Sequence, residues 1–233
     1  QGDPGDGKSK LMLSLAALLS KGAPLPFADE DESGEPMTVI YHTTEYDADD
    51  TVVPRFNSAG GNGDRLIFIK EDEKSLTFGE DCVREAVEKY NDKLLILEPM
   101  SPYIGDICSM NNANETRAEF NHLIAVAKDT GCAIVIIAHM NKAKDASPLY
   151  RTNGSIDIAG AARSILTVTR TANKQNPAER YLVQVKSNLA PIGSAILFEV
   201  ADKGVNFLDE LELSAEVTFS LRHGSEDGQT ECP

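Results

Sequence analysis

Long apolar runs are missing: nothing in the 233 residues approaches the roughly 18 consecutive apolar residues that a membrane-crossing helix needs. No signal peptide is recognisable either, so the expectation is a cytoplasmic protein with no membrane partner. The four cysteines, Cys82, Cys108, Cys132 and Cys232, show no C-x-x-C spacing, which argues against both a zinc site and a disulfide framework. Cys132 opens an apolar run, residues 132–138, where a buried free thiol is expected. Basic residues are scarce as well. With 22 Lys and Arg against 37 Asp and Glu the net charge is −15, which is not that of a protein coated for nucleic acid. What remains, 41% hydrophobic and 25% charged, is an ordinary globular composition with ample length for a core.

The acidic excess is uneven. Between His139 and Lys186 there are eight basic and three acidic residues, so this segment carries +5 and the rest of the chain −20. From charge alone, a solvated surface and a polyanion-binding face are both open readings.

The most informative stretch is Gly2-Asp3-Pro4-Gly5-Asp6-Gly7-Lys8-Ser9, which fits the phosphate-binding pattern G-x-x-x-x-G-K-[ST]. Glycines let the backbone curl so that successive N–H groups point at phosphate oxygens, and Lys8 adds a full positive charge for the β- and γ-phosphates. Ser9 is the expected Mg²⁺ ligand. Leu11, Leu15, Leu18 and Leu19 then recur at helical spacing before Gly22, which places a helix N-terminus under the phosphates. Gly5, Asp6, Gly7, Lys8, Ser9 and Lys10 form the candidate nucleotide-binding set. A strand normally leads into such a loop, and none precedes this one, so a truncated chain lacking its first strand is expected.

Beyond residue 23 the pattern alternates. A proline- and acid-rich loop to residue 36 precedes a buried strand over residues 37–43 with Glu45 just past its end. A helix is expected from Asp49 toward Ser58, a short strand at 66–69, and a helix at 81–90 through Val83, Ala86, Val87 and Tyr90. Residues 94–98, Leu-Leu-Ile-Leu-Glu, are an apolar strand ending in a carboxylate, which is how a Mg²⁺-supporting Walker B element reads. Here the acid is Glu98 where Asp is usual. A helix over residues 111–130, with Phe120, Leu123, Ile124 and Ala127 on one face, leads through Gly131 to the strand at 132–138 and His139. Residues 143–155 read as a loop, and three more strands are expected at 164–169, 180–185 and 195–200.

Such alternation predicts an α/β domain with a mainly parallel sheet and its ligand at the strands' carboxyl ends. A core over residues 1–208 is expected, followed by an extension over 209–233. The P-loop, Glu45, Glu98 and His139 all fall at strand ends or the loops after them.

Taken in order, the pieces resemble the RecA-like P-loop ATPases, and within them the plasmid and phage RepA-type replicative helicases and primase-associated ATPases. The resemblance rests on the P-loop, on Tyr41-His42-Thr43-Thr44-Glu45 with Pro54-Arg55-Phe56, on residues 94–99, and on His139-Met140-Asn141-Lys142. It continues through Gly154-Ser155-Ile156-Asp157, Gly160-Ala161-Ala162-Arg163 and Lys186-Ser187-Asn188, spanning residues 2–200. It implies a RecA-like core that hydrolyses ATP with Mg²⁺, in which Lys8, Glu45, Glu98 and His139 form the catalytic set. Glu45 would activate the attacking water and His139 would sense the γ-phosphate. Arg55 would lie by the adenine, and Lys186, or alternatively Arg163, would reach a neighbouring subunit's site in a homo-hexamer. The loop at 141–155, with Lys142, Lys144, Tyr150 and Arg151, would line a channel for single-stranded DNA.

The leading expectation is therefore an ATP-driven ring motor on single-stranded DNA, a replicative or primase-linked helicase with primase as a partner. A recombination or regulatory ATPase without helicase activity uses the same scaffold. A nucleotide-binding assembly module is a further class, kept open by Glu98. A small-molecule phosphotransferase would need an acceptor pocket and lid that the sequence does not show.

Overall fold

A computed structural model of the protein describes residues 1–45, 47–69, 78, 81–90, 93–104, 113–140 and 156–212. Its first half is a parallel sheet in the order β2-β1-β3-β4, built from β1 (Val39–Thr43), β2 (Leu66–Phe68), β3 (Leu94–Glu98) and β4 (Ala133–Ile136). Strands β1 and β3 read as continuous apolar runs because both of their faces are covered, the usual condition of a parallel sheet. Side chains alternate between the faces. Val39, Tyr41 and Ile96 meet Leu13, Ala16 and Ala17 of α1 (Lys8–Ser20) and Phe56 of α2 (Val53–Ser58). On the other face, Ile40, Leu95 and Leu97 meet Val83 and Val87 of α3 (Asp81–Tyr90) and Phe120, Leu123 and Val126 of α4 (Ala113–Thr130).

Helix α1 corrects the expected leucine stripe. Its most deeply buried apolar residues are Leu11, Leu13, Ala16 and Ala17, whereas Leu15, Leu18 and Leu19 are only half-buried. The reason is that α1 is packed from two sides, so no single period-3.6 stripe describes it. Leu13, Ala16 and Ala17 face the parallel sheet, while Leu11 packs with Val168 and Phe198 of the second sheet. The helix stops at Gly22 in a left-handed conformation (φ 66°), and a Cβ there would lie 2.1 Å from the Gly34 carbonyl oxygen.

The second half is an antiparallel sheet in the order β5-β6-β7-β8, comprising β5 (Ser164–Arg170), β6 (Glu179–Ser187), β7 (Ala195–Ala201) and β8 (Gly204–Leu211). Of these, β8 is the element that the sequence pattern does not reveal. It is an edge strand with half of its residues exposed, and Asn206, Asp209 and Glu210 interrupt the alternation. It also crosses the expected boundary at residue 208.

Gly2 joins the two sheets by parallel bridges to both His139 and Val168. The Met140 N–H donates to the Gly2 carbonyl at 3.2 Å and the Val168 N–H to that of Gln1 at 2.8 Å. Behind this junction an apolar cleft of about 730 Å³ separates β4 from β5, lined by Ile124, Ile134, Ile136, Ile165, Leu166 and Leu182 among others. Its presence explains why β4 is only half-buried when β1 and β3 are closed on both faces. The Gln1 α-amino group donates to the Leu166 carbonyl at 2.7 Å, and burial lowers its pKa from 8.0 to about 5. Among the described residues, no helix is long and apolar enough to cross a membrane.

Candidate nucleotide site

The P-loop folds as its glycines allow. Gly5 and Gly7 have φ of 79° and 89°, a region that L side chains enter at a cost. Gly2 is required for space, since a Cβ there would stand 2.6 Å from the Val168 carbonyl oxygen. At the end of the loop Gly7 caps α1, so the helix N-terminus opens onto the loop as anion binding demands.

Lys8 is turned into the loop. Its ammonium donates to the carbonyls of Gly2 (3.0 Å) and Asp3 (2.9 Å) and stands 3.3 Å from His139 Nδ1. Because an ammonium can only donate, Nδ1 is the acceptor and the imidazole proton lies on Nε2. That Nε2 is 3.5 Å from Glu45 Oε1, so a polar chain runs Lys8–His139–Glu45 from the loop to the half-exposed mouth of the site. Desolvation lowers the Lys8 pKa, partly offset by Asp6, Glu98, Asp3 and Glu45. Lys8 thus sits in a place that favours an added anion.

Glu98 is almost fully buried at the end of β3, and hydroxyl groups serve both of its oxygens. Ser9, in the first turn of α1, donates to Oε1 and Tyr41 of β1 donates to Oε2. A hydroxyl and a carboxylate side by side are hard oxygen donors of the kind Mg²⁺ selects, so Ser9 and Glu98 fit the expected ion.

Asp6 plays a structural part that the motif alone does not disclose. Its side chain has no exposed surface, and it accepts from the Asp3 N–H (3.1 Å) and from Arg170 Nε (2.9 Å), tying the loop to the end of β5. Arg180, paired with Arg170 across β5 and β6, has its pKa lowered by desolvation and then by Arg170, with Asp6 opposing. Neither Tyr41, quoted only within the Tyr41–Glu45 motif, nor Arg170 receives a role in the site from sequence. Tyr41 lies inside an apolar strand and reads as core, while Arg170 is one basic residue among eight in its segment.

The remaining expected residues are placed as follows. Lys10 Nζ donates to the Ala201 carbonyl at 2.7 Å, and Arg55, with Lys10 and Asp202, lines a small cavity beside α1. Lys186 Nζ donates to the carbonyls of Ala159 (2.6 Å) and Ala162 (2.7 Å), which caps α5 (Ile156–Ala161). Arg163, just beyond that helix, is exposed. Lys142, Lys144, Tyr150 and Arg151 lie outside the described residues.

A model of the AAA domain family AAA_25 matches residues 1–145, well over half of the chain and all of the Lys8, Glu45, Glu98 and His139 constellation. The chain belongs to this family. This AAA domain is also similar to the crystal structure of the RadB recombinase, with a TM-score of 0.58 and 14% identity over 89% of this chain and 88% of that one. That likeness shows a shared RecA-like fold. No curated protein matches the sequence. This AAA domain is thus a P-loop ATPase domain of RecA-like fold.

Proposed function

We propose that the protein hydrolyses Mg-ATP and uses the cycle to act as a homo-hexameric ring on single-stranded DNA, as a RepA-type replicative or primase-linked helicase. The observation that carries the hydrolytic part is the Lys8–His139–Glu45 chain. Glu45 stands at the open end with its carboxylate half-exposed, where it can take the proton of a water attacking the γ-phosphorus. His139 orients that carboxylate through Nε2 and reports on Lys8 through Nδ1, so a phosphate drawing Lys8 away would be felt at both. Lys8 and the loop N–H groups stabilise charge on the transferring phosphoryl group. Mg²⁺ held by Ser9 and Glu98 would neutralise charge on the β- and γ-phosphate oxygens.

The DNA part is supported by the +5 segment within an otherwise acidic chain. Basic loops converging from several subunits can bind a phosphate backbone that the acidic exterior repels. On this reading Lys142→Ala with Lys144→Ala weakens single-stranded DNA binding and flattens its salt dependence, while basal ATPase activity survives. Arg163, exposed where Lys186 is engaged by α5, is the stronger candidate to reach a neighbouring site.

The likeness to a recombinase favours a second reading, a RecA-like recombination or regulatory ATPase without helicase activity. ATP turnover measured with and without single-stranded DNA, followed by strand separation on a forked duplex, tests both. DNA-stimulated turnover with separation supports the helicase, and stimulation without separation supports the second reading. Absence of ATP hydrolysis under all conditions overturns both.

A further inference from the structure

Glu98 stands where an aspartate is usual, one methylene longer, and the structure shows what that extra length reaches. Its carboxylate, almost wholly buried, accepts from Ser9 on Oε1 and from Tyr41 on Oε2. Tyr41 lies on the neighbouring strand, in register with Ile96, two positions behind Glu98. Its ring therefore runs along the α1-facing side of the sheet and delivers the phenol to the strand end. No part of Tyr41 is exposed, and it is packed in the cluster of Leu13, Ala17, Val39 and Ile96, so the phenol is held in place by its surroundings. A carboxylate gripped at one oxygen can still rotate. Gripped at both, its plane is set.

We infer that Tyr41 is a positioning residue for the cation site, fixing the Glu98 carboxylate so that its Ser9-facing oxygen is presented to the Mg²⁺ shell. The inference rests on the reading of Ser9 and Glu98 as the cation-supporting pair. Glutamate is then the acid this site is built for, because an aspartate, shorter by about 1.5 Å, could not serve both hydroxyls. The phenol is wholly buried and spends its hydrogen on Glu98. Its effect is on the metal requirement, through Glu98.

The test compares wild type with Tyr41→Phe, Glu98→Asp, the double variant and Glu98→Gln. Mn²⁺ binding in the presence of ADP is followed by electron paramagnetic resonance, and ADP affinity is measured without metal. Loss of a hydrogen bond to a charged acceptor should raise the half-saturating Mn²⁺ concentration about tenfold in Tyr41→Phe, with metal-free ADP affinity unchanged. Glu98→Asp should also raise it, although aspartate is the usual residue, and adding Tyr41→Phe to Glu98→Asp should change it less than about twofold. An unaltered Mn²⁺ requirement in Tyr41→Phe, or a lower one in Glu98→Asp, overturns the inference. If Glu98→Gln raises the requirement and Tyr41→Phe does not, the inference fails alone. If Glu98→Gln leaves it unchanged, the cation-pair reading fails and takes the inference with it. Should Tyr41→Phe not fold, the Glu98→Asp comparison decides.

Discussion

Lys8 Nζ stands 3.3 Å from His139 Nδ1, across a gap of 131 positions in sequence, at the point where Gly2 bridges to His139. A buried ammonium, an imidazole and, 3.5 Å further on, a carboxylate are thereby placed in one line. Each can be broken separately.

Lys8→Ala should abolish Mg-ATP hydrolysis while the fold persists, because the stabilisation lost grows as charge shifts in the transition state. A steady-state turnover assay with thermal melting as control checks this. Wild-type turnover would mean that the chemistry lies elsewhere.

The lowered Lys8 pKa has a signed consequence. The folded lysine gives up its proton at a pH below 10.5, where the unfolded lysine still holds one, so stability should rise with pH across that window. A bound phosphate reverses the shift, so nucleotide binding there should take up a proton and weaken as pH rises. Calorimetry in buffers of different ionisation enthalpy should show that uptake in wild type and not in Lys8→Arg.

Glu45→Gln keeps the shape of the side chain and loses the base. ATP should still bind, with hydrolysis down by about 10² or more. His139→Ala leaves the Glu45 carboxylate without its 3.5 Å neighbour and should lower the hydrolysis rate less than Glu45→Gln does. Single-turnover rates at saturating ATP separate the two, and a larger loss in His139→Ala would reverse the assigned roles.

Asp6 and Arg170 couple the P-loop to the second sheet, so their loss should be felt in stability and in nucleotide affinity together. Asp6→Ala removes two hydrogen bonds from a fully buried carboxylate and should cost about 2–3 kcal/mol in urea unfolding. Arg170→Ala should cost about 1–2 kcal/mol, since its guanidinium is half-exposed and only Asp6 loses a partner. Additivity in the double variant would show that the pair does not act as a unit.

The apolar cleft between β4 and β5 is lined in part by Gln1, next to the Gly2 bridges to both sheets. A strand of about five apolar residues fused ahead of Gln1 should enter it and pair with both neighbours. Each apolar side chain buried adds about 1.5–3 kcal/mol, against about 1–2 kcal/mol per residue for ordering the backbone. The extended chain should melt several degrees higher, at about 2–4 °C per kcal/mol gained. An unchanged melting temperature would show that the cleft does not accept a strand.

The sequence alone determined the P-loop, the apolar strands β1 and β3, and the carboxylate and imidazole at strand ends. Those signals are local: glycines at fixed offsets, and continuous apolar runs that only a sheet covered on both faces produces. Tertiary structure decided the rest. The buried face of α1 could not be read from period 3.6, because the helix is packed from two sides. Edge strand β8 escaped because Leu208, Asp209 and Glu210 are exposed in succession, which removes the alternation that marks a strand. Tyr41 and Arg170 became visible only when β1 was laid beside β3 and the end of β5 beside the loop. A buried carboxylate takes whatever donors the fold brings within reach, and that reach is set across strands, where sequence separation carries no information.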